Sequence, residues 1–195
     1  MSAGSGLPPS RPPSRRRPVP LLDRNGARAD GWTRSEGAAI DNIPAAIVPW
    51  EFLAEALDRQ VPGQSIGVLI PNNLPTAELA PFLPRLALVA IAFPAYSDGR
   101  GFSQARQIRR AGFGGELRAS GPLIADQFAY ALSCGFDTVE LPEASAARQP
   151  VEQWLRARDS FSRTYQRGYG TPERNILDQR RAARIDAAAR SAATP

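Results

Sequence analysis

No histidine and no lysine occur anywhere in the chain, so all 24 basic residues are arginine. The missing histidine removes the commonest general base near neutral pH and the commonest neutral metal ligand. Cysteine occurs once, as Cys134. A single thiol excludes an internal disulfide, and it excludes a cysteine-ligated iron–sulfur cluster held by this chain alone. No apolar run approaches the roughly 20 residues that span a bilayer. The N-terminus has no apolar stretch of signal-peptide type. These absences predict a soluble cytoplasmic protein with no membrane span and no metal site.

What is present is the composition of a globular protein, 43% hydrophobic and 22% charged, in a chain long enough to bury a real core. The net charge of +5 sits at the two ends. Residues 1–20 carry four arginines and no acid, and residues 167–195 carry six arginines against Glu173, Asp178 and Asp186. The stretch between them holds 14 arginines and 16 acids, a net charge of −2. A nearly neutral body argues against a specific nucleic-acid-binding face, which needs clustered basic residues on the domain itself. Pro, Ser, Gly and Arg dominate residues 1–20 and predict a disordered leader. The Ala- and Arg-rich residues 167–195 have helix propensity but few large apolar side chains, which predicts a disordered tail or frayed helix. A single domain over 21–166 is the expected remainder.

Within that domain, short apolar runs alternate with helix-period segments. Ile47-Val48 opens a brief strand, and Pro49 suits the first turn of a helix to about Arg59. Trp50, Leu53, Ala54 and Leu57 would line one face of it. Ile66–Ile70 and Leu86–Phe93 are continuous apolar strands, with a short helix from Pro75 to about Leu83 between them. A helix from about Ser103 to Arg110, a strand over Glu116–Ala119, a helix capped by Ser120 and ended by Gly135, a strand over Phe136–Leu141 and a polar helix from about Ser145 to Gln166 complete the order. Continuous apolar strands separated by helices predict an α/β fold with a parallel sheet of four to five strands in βαβ units. It is either an open doubly wound sheet or a partial barrel. In both, ligands bind at the carboxyl ends of the strands, here the turns after Phe93, Ala119 and Leu141.

The densest motif follows the second of these strands: Phe93-Pro94-Ala95-Tyr96-Ser97-Asp98-Gly99-Arg100-Gly101-Phe102-Ser103-Gln104-Ala105-Arg106. Gly99 and Gly101 allow a tight turn and close backbone approach to a ligand. Ser103 can cap the next helix, whose first amides favour an anion. Arg100, Arg106 and Arg118 offer guanidinium groups suited to oxyanions, and Asp126 and Gln127 lie on the following helix. Asp98 is the candidate general acid or base. Its other reading is a carboxylate that pairs with a neighbouring arginine and pins the turn. Cys134, at a helix end beside Gly135, fits a small buried hydrophobe better than a reactive thiol, because a helix C-terminus disfavours a thiolate.

The runs FPAYSDGRGFSQARQIRR, GFGGELRASG and ADQFAYALSCGFDTVEL resemble the bacterial family called domain of unknown function 934, over roughly residues 40–166 and with a typical Tyr165-Gln166 ending. Ser133 stands where the family usually has a basic residue. Members are commonly encoded beside assimilatory sulfite reductase and are often labelled oxidoreductases. The resemblance therefore implies a role in sulfite reduction for cysteine biosynthesis. The residues do not support a redox cofactor of the chain's own: Gly112-Phe113-Gly114-Gly115 precedes a strand, whereas a dinucleotide fingerprint follows one. The leading expectation is an accessory protein that assists sulfite reductase or its electron donor without a cofactor. The alternative is a small-molecule enzyme or oxyanion-binding protein that uses the Asp98-Gly99-Arg100-Gly101 loop.

Overall fold

The computed structural model describes residues 21–146 and 148–160. The predicted leader over 1–20, the predicted tail over 167–195 and the Tyr165-Gln166 pair lie outside the described residues. The described residues open with three short strands, β1 (Leu21–Asp23), β2 (Gly26–Arg28) and β3 (Thr33–Arg34). It continues through β4 (Ala45–Pro49), a 3-10 turn into α1 (Leu53–Asp58), β5 (Ser65–Ile70) and α2 (Thr76–Leu79), which runs into a second 3-10 turn. Then come β6 (Leu88–Ala92), α3 (Arg100–Arg110), β7 (Glu116–Ser120), α4 (Phe128–Ser133) and β8 (Thr138–Glu140). Two helices follow, α5 (Glu143–Ala146) and α6 (Val151–Ser160). The expected α/β class is what the chain adopts.

The sheet is larger than expected, and it is mixed. Its eight strands run in the order β2-β1-β8-β7-β6-β5-β4-β3. Strands β3 to β8 pair in parallel, while β1 is antiparallel to both β2 and β8. The expectation of a purely parallel sheet of four to five strands is therefore corrected. Strands of two or three residues carry no readable period, and the added strands are of that length. The hairpin had a signal nonetheless. In Leu21-Leu22-Asp23-Arg24-Asn25-Gly26 the Asp23 carboxylate accepts from the amides of Asn25 (2.7 Å) and Gly26 (3.1 Å). Gly26 has a φ of +136°, a conformation that side chains with a β-carbon avoid.

The strand order decides between the two predicted architectures. From β3 to β8 each strand lies beside its predecessor with no reversal, so the sheet has no doubly wound switch point. Crossovers of one hand that step in one direction place every helix on the same face. Buried residues agree. Leu53, Leu79, Phe102, Ile108, Phe128 and Trp154 share one apolar cluster with Val48, Val68, Val89, Leu117 and Val139 of the strands. The opposite side chains of the same strands, Ile47, Leu88 and Ala90, form a separate small cluster covered by Trp32 and Leu69. The sheet curls around this second face until the Arg34 side chain on edge strand β3 donates to Glu140 on β8.

Three local expectations change. Buried Ala56, not Ala54, joins Leu53 and Leu57 on α1. Ser120 ends β7 and does not cap a helix; a 3-10 turn over Ala125–Gln127 leads into α4. The long polar helix from Ser145 is two helices on either side of Pro150, which removes an amide donor.

Candidate functional site

The predicted loop occupies the corner between β6 and α3. Phe93 extends the ladder of β6, its amide donating to the Ser120 carbonyl at 2.7 Å. The chain turns through 94–99 and enters α3 at Arg100, with Gly99 as the N-cap residue and not Ser103. Asp98 accepts from the Arg100 amide at 3.2 Å and from its guanidinium through Nε at 3.0 Å and Nη2 at 2.6 Å. The Arg100 guanidinium holds the Asp98 carboxyl far below the usual carboxylate range, and the neighbouring Asn72 side chain adds to the effect. A carboxylate held ionised in this way is a poor proton donor near neutral pH. Asp98 and Arg100 pair and pin the helix start.

The glycines serve the corner itself. Gly99 has a φ of −81°, and a β-carbon there would meet nothing closer than 3.8 Å. At Gly101 a β-carbon would lie 2.5 Å from the Phe93 ring. The close approach that Gly101 permits is therefore between α3 and its own core. Gln127 joins the loop to the next turn: its Nε2 donates to the Tyr96 carbonyl at 2.7 Å while its Oε1 accepts from the Ile124 amide at 3.2 Å. Asp126 beside it is exposed.

The predicted arginines do not converge. On a strand, alternate side chains point to opposite faces. Leu117 and Ala119 of β7 join the helix-side cluster, so Arg118 lies on the concave face, away from α3. There it is fully buried and bound to Asp30 at 2.7 and 3.0 Å and to Glu116 at 3.0 and 3.2 Å. Thr138 donates to the same Glu116 oxygen at 2.7 Å. Burial alone would raise the Asp30 carboxyl, but hydrogen bonds from Arg118 and the Trp32 amide, with the charges of Arg118 and Arg34, hold it below its ordinary value. Four hydrogen bonds and two ion pairs tie Arg118 to these acids, which leaves it unsuited to an incoming anion. One layer towards the strand ends, Arg34 donates to Glu140 and, at 2.9 Å, to Ser120 Oγ. Sequence reasoning missed Asp30, Arg34, Glu116 and Glu140. The alternation Glu116, Arg118, Ser120 was the available signal of a polar face.

Arg109, in the last turn of α3, is also structural. Its guanidinium donates to the carbonyls of Gly135 (2.9 Å), Phe113 (2.8 Å) and Gly115 (2.8 Å) and pairs with Asp137. A lysine cannot reproduce that planar fork. Arg109→Lys is expected to lower the unfolding free energy by about 2 kcal/mol, since it strands part-buried carbonyls. Urea unfolding of both proteins measures this, and a loss below about 0.5 kcal/mol would show that the fork is dispensable. Cys134 caps the C-terminal end of α4, is 2% exposed and packs in the main apolar cluster. It behaves as a small hydrophobe.

What remains outward is one stripe of α3 and its neighbour. Arg100, Ser103, Arg106, Gln107 and Arg110 are exposed, while Phe102, Ala105 and Ile108 are buried. The Arg106 guanidinium lies 5.3 Å from the Tyr130 ring centroid. Tyr130 in turn packs edge-on against Phe102 with centroids 5.0 Å apart. Among the described residues no helix is long and apolar enough to cross a membrane.

A family model for bacterial proteins of unknown function, DUF934, matches residues 67–175 of the chain. That span takes in most of β5, the whole candidate corner and α6. Comparison with curated proteins gives no match.

Proposed function

Because the chain belongs to the DUF934 family, we propose that it is an accessory protein of assimilatory sulfite reduction that assists the reductase, or its electron donor, without a redox cofactor of its own. The reading is supported by family membership, since members are commonly encoded beside the reductase. The observation that carries it is where the family's densest motif lies. FPAYSDGRGFSQAR builds a rigid corner in which Asp98 and Arg100 satisfy each other, and it turns Ser103 and Arg106 outward. A corner of that kind suits contact with another protein better than proton transfer. The oxyanion-binding alternative draws no support from the geometry, because Arg100 and Arg118 are already held by carboxylates.

Growth of a clean deletion strain on single sulfur sources tests the proposal. The expected result is failure on sulfate and on sulfite, with rescue by sulfide and by the intact gene. Normal growth on all three sources would refute the role.

A further inference from the structure

Among the described residues, three large hydrophobic side chains are exposed: Val61, Tyr96 and Tyr130, at 58%, 58% and 41%. Two of the three, Tyr96 and Tyr130, belong to the corner described above and the helix packed beside it. The Gln127 side chain bonds the Tyr96 carbonyl, and Tyr130 lies one helical turn further along the chain. Beside them runs the outward stripe of α3. At 100° per residue, Arg100, Ser103, Arg106, Gln107 and Arg110 fall within one third of the helix circumference. The stripe contains three arginines and no acid.

The charge on this stripe is poorly balanced from within. Arg100 is paired with Asp98. Among the described residues neither Arg106 nor Arg110 has a carboxylate partner. The two lie four residues apart, a spacing at which like charges repel on a helix. The flanking acids Glu78 and Asp126 are exposed but reach neither guanidinium. Meanwhile Arg106 is held in place over Tyr130, so its charge is presented from a defined position.

We propose that this face, formed by α3 and α4 with Tyr96, is the docking surface for an acidic protein, with the Arg106–Tyr130 stack as its central anchor. Tyr and Arg are the side chains most enriched among residues that dominate protein interfaces, and they act best when already ordered. An acidic partner would neutralise Arg106 and Arg110 and relieve their repulsion. A single-stranded nucleic acid fits less well. It would need a basic groove that tracks its backbone, whereas this face offers two arginines without a carboxylate partner among the described residues, one of them already lying over the Tyr130 ring. The inference goes beyond the sulfite-reduction reading and does not require it.

Site-specific photo-crosslinking in cells, on the full chain, tests the face. A benzophenone amino acid is installed in place of exposed Ser103 and, as a control, in place of Val61. The expected result is one protein adduct from position 103, joined through a segment rich in Asp and Glu, and no such adduct from position 61. Introducing Arg106→Glu and Arg110→Glu should reduce the adduct about tenfold or more, with the melting temperature unchanged. No adduct from position 103, an adduct to RNA, or a protein adduct indifferent to the charge reversal would overturn the proposal. An adduct to an acidic protein unrelated to sulfite reduction would uphold the face and count against the accessory role. A sulfur-source growth defect without an adduct would do the reverse.

Discussion

Arg118→Met is expected to lower the unfolding free energy by about 3–5 kcal/mol, the usual effect of removing one member of a buried ion pair. The side chain is fully buried, and its guanidinium makes four hydrogen bonds to Asp30 and Glu116. Methionine matches much of its length but none of its charge. Glu116 would keep only the Thr138 hydroxyl at 2.7 Å and Arg28 at 3.9 Å. The pH dependence gives an independent reading. In the native protein the Asp30 carboxyl is held below its ordinary value of 3.8. It therefore contributes stability that is complete above that value and is lost as pH falls through the lower, folded value. In Arg118→Met burial acts on Asp30 with far less to oppose it, which raises the carboxyl and reverses the sign of that contribution. Urea unfolding at pH 7 and at about pH 4 should show the variant's deficit shrinking as the solution is acidified. A deficit below about 1 kcal/mol, or one that grows in acid, would mean that the concave face is not held by this network.

The same residue shows what the sequence conveyed and what it withheld. Strands β5 and β6 were legible because Ile66–Ile70 and the run around Leu88–Ala92 are apolar on both faces, as parallel strands covered on both sides must be. Arg118 was legible as a candidate beside Arg100 and Arg106, but neither its face of the sheet nor its partners were. Strand alternation sends it to the concave face, away from Arg100 and Arg106. Its main partner, Asp30, lies 88 positions away, in a segment whose strands are too short to show a period. The pairing of Asp98 with Arg100 was visible as one of two readings, because it depends only on neighbours. Arg34 and Glu140, 106 positions apart, meet only because the sheet curls. Curvature is a property of the assembled strands and leaves no mark on either residue.

Gly121→Ala is the second large expected loss, about 3 kcal/mol or more, and it bears on why the corner needs its glycines. Gly121 has a φ of +142°, and a β-carbon there would fall 2.1 Å from the Phe93 carbonyl oxygen. The strained backbone and the overlap each cost about 1–3 kcal/mol. Neither can relax cheaply, because the obstructing atom is backbone. Phe93 is tied to the end of β7 by the hydrogen bond that its amide donates to the Ser120 carbonyl, and its ring fills the space that Gly101 leaves open. Gly99→Ala makes the comparison. Its backbone is ordinary and its surroundings are open, so a loss within about 1 kcal/mol is expected, the size of a weakened N-cap. If the corner's glycines were there to admit a ligand, the substitutions would leave folding alone and impair binding. If Gly121 lets the end of β7 close onto Phe93, thermal unfolding should rank Gly121→Ala well below Gly99→Ala. Equal melting temperatures for the two variants would count against the packing account. The predicted order would mean that the corner is a rigid platform, whose outward side chains, Ser103, Arg106 and Tyr130, are the ones left to meet a partner.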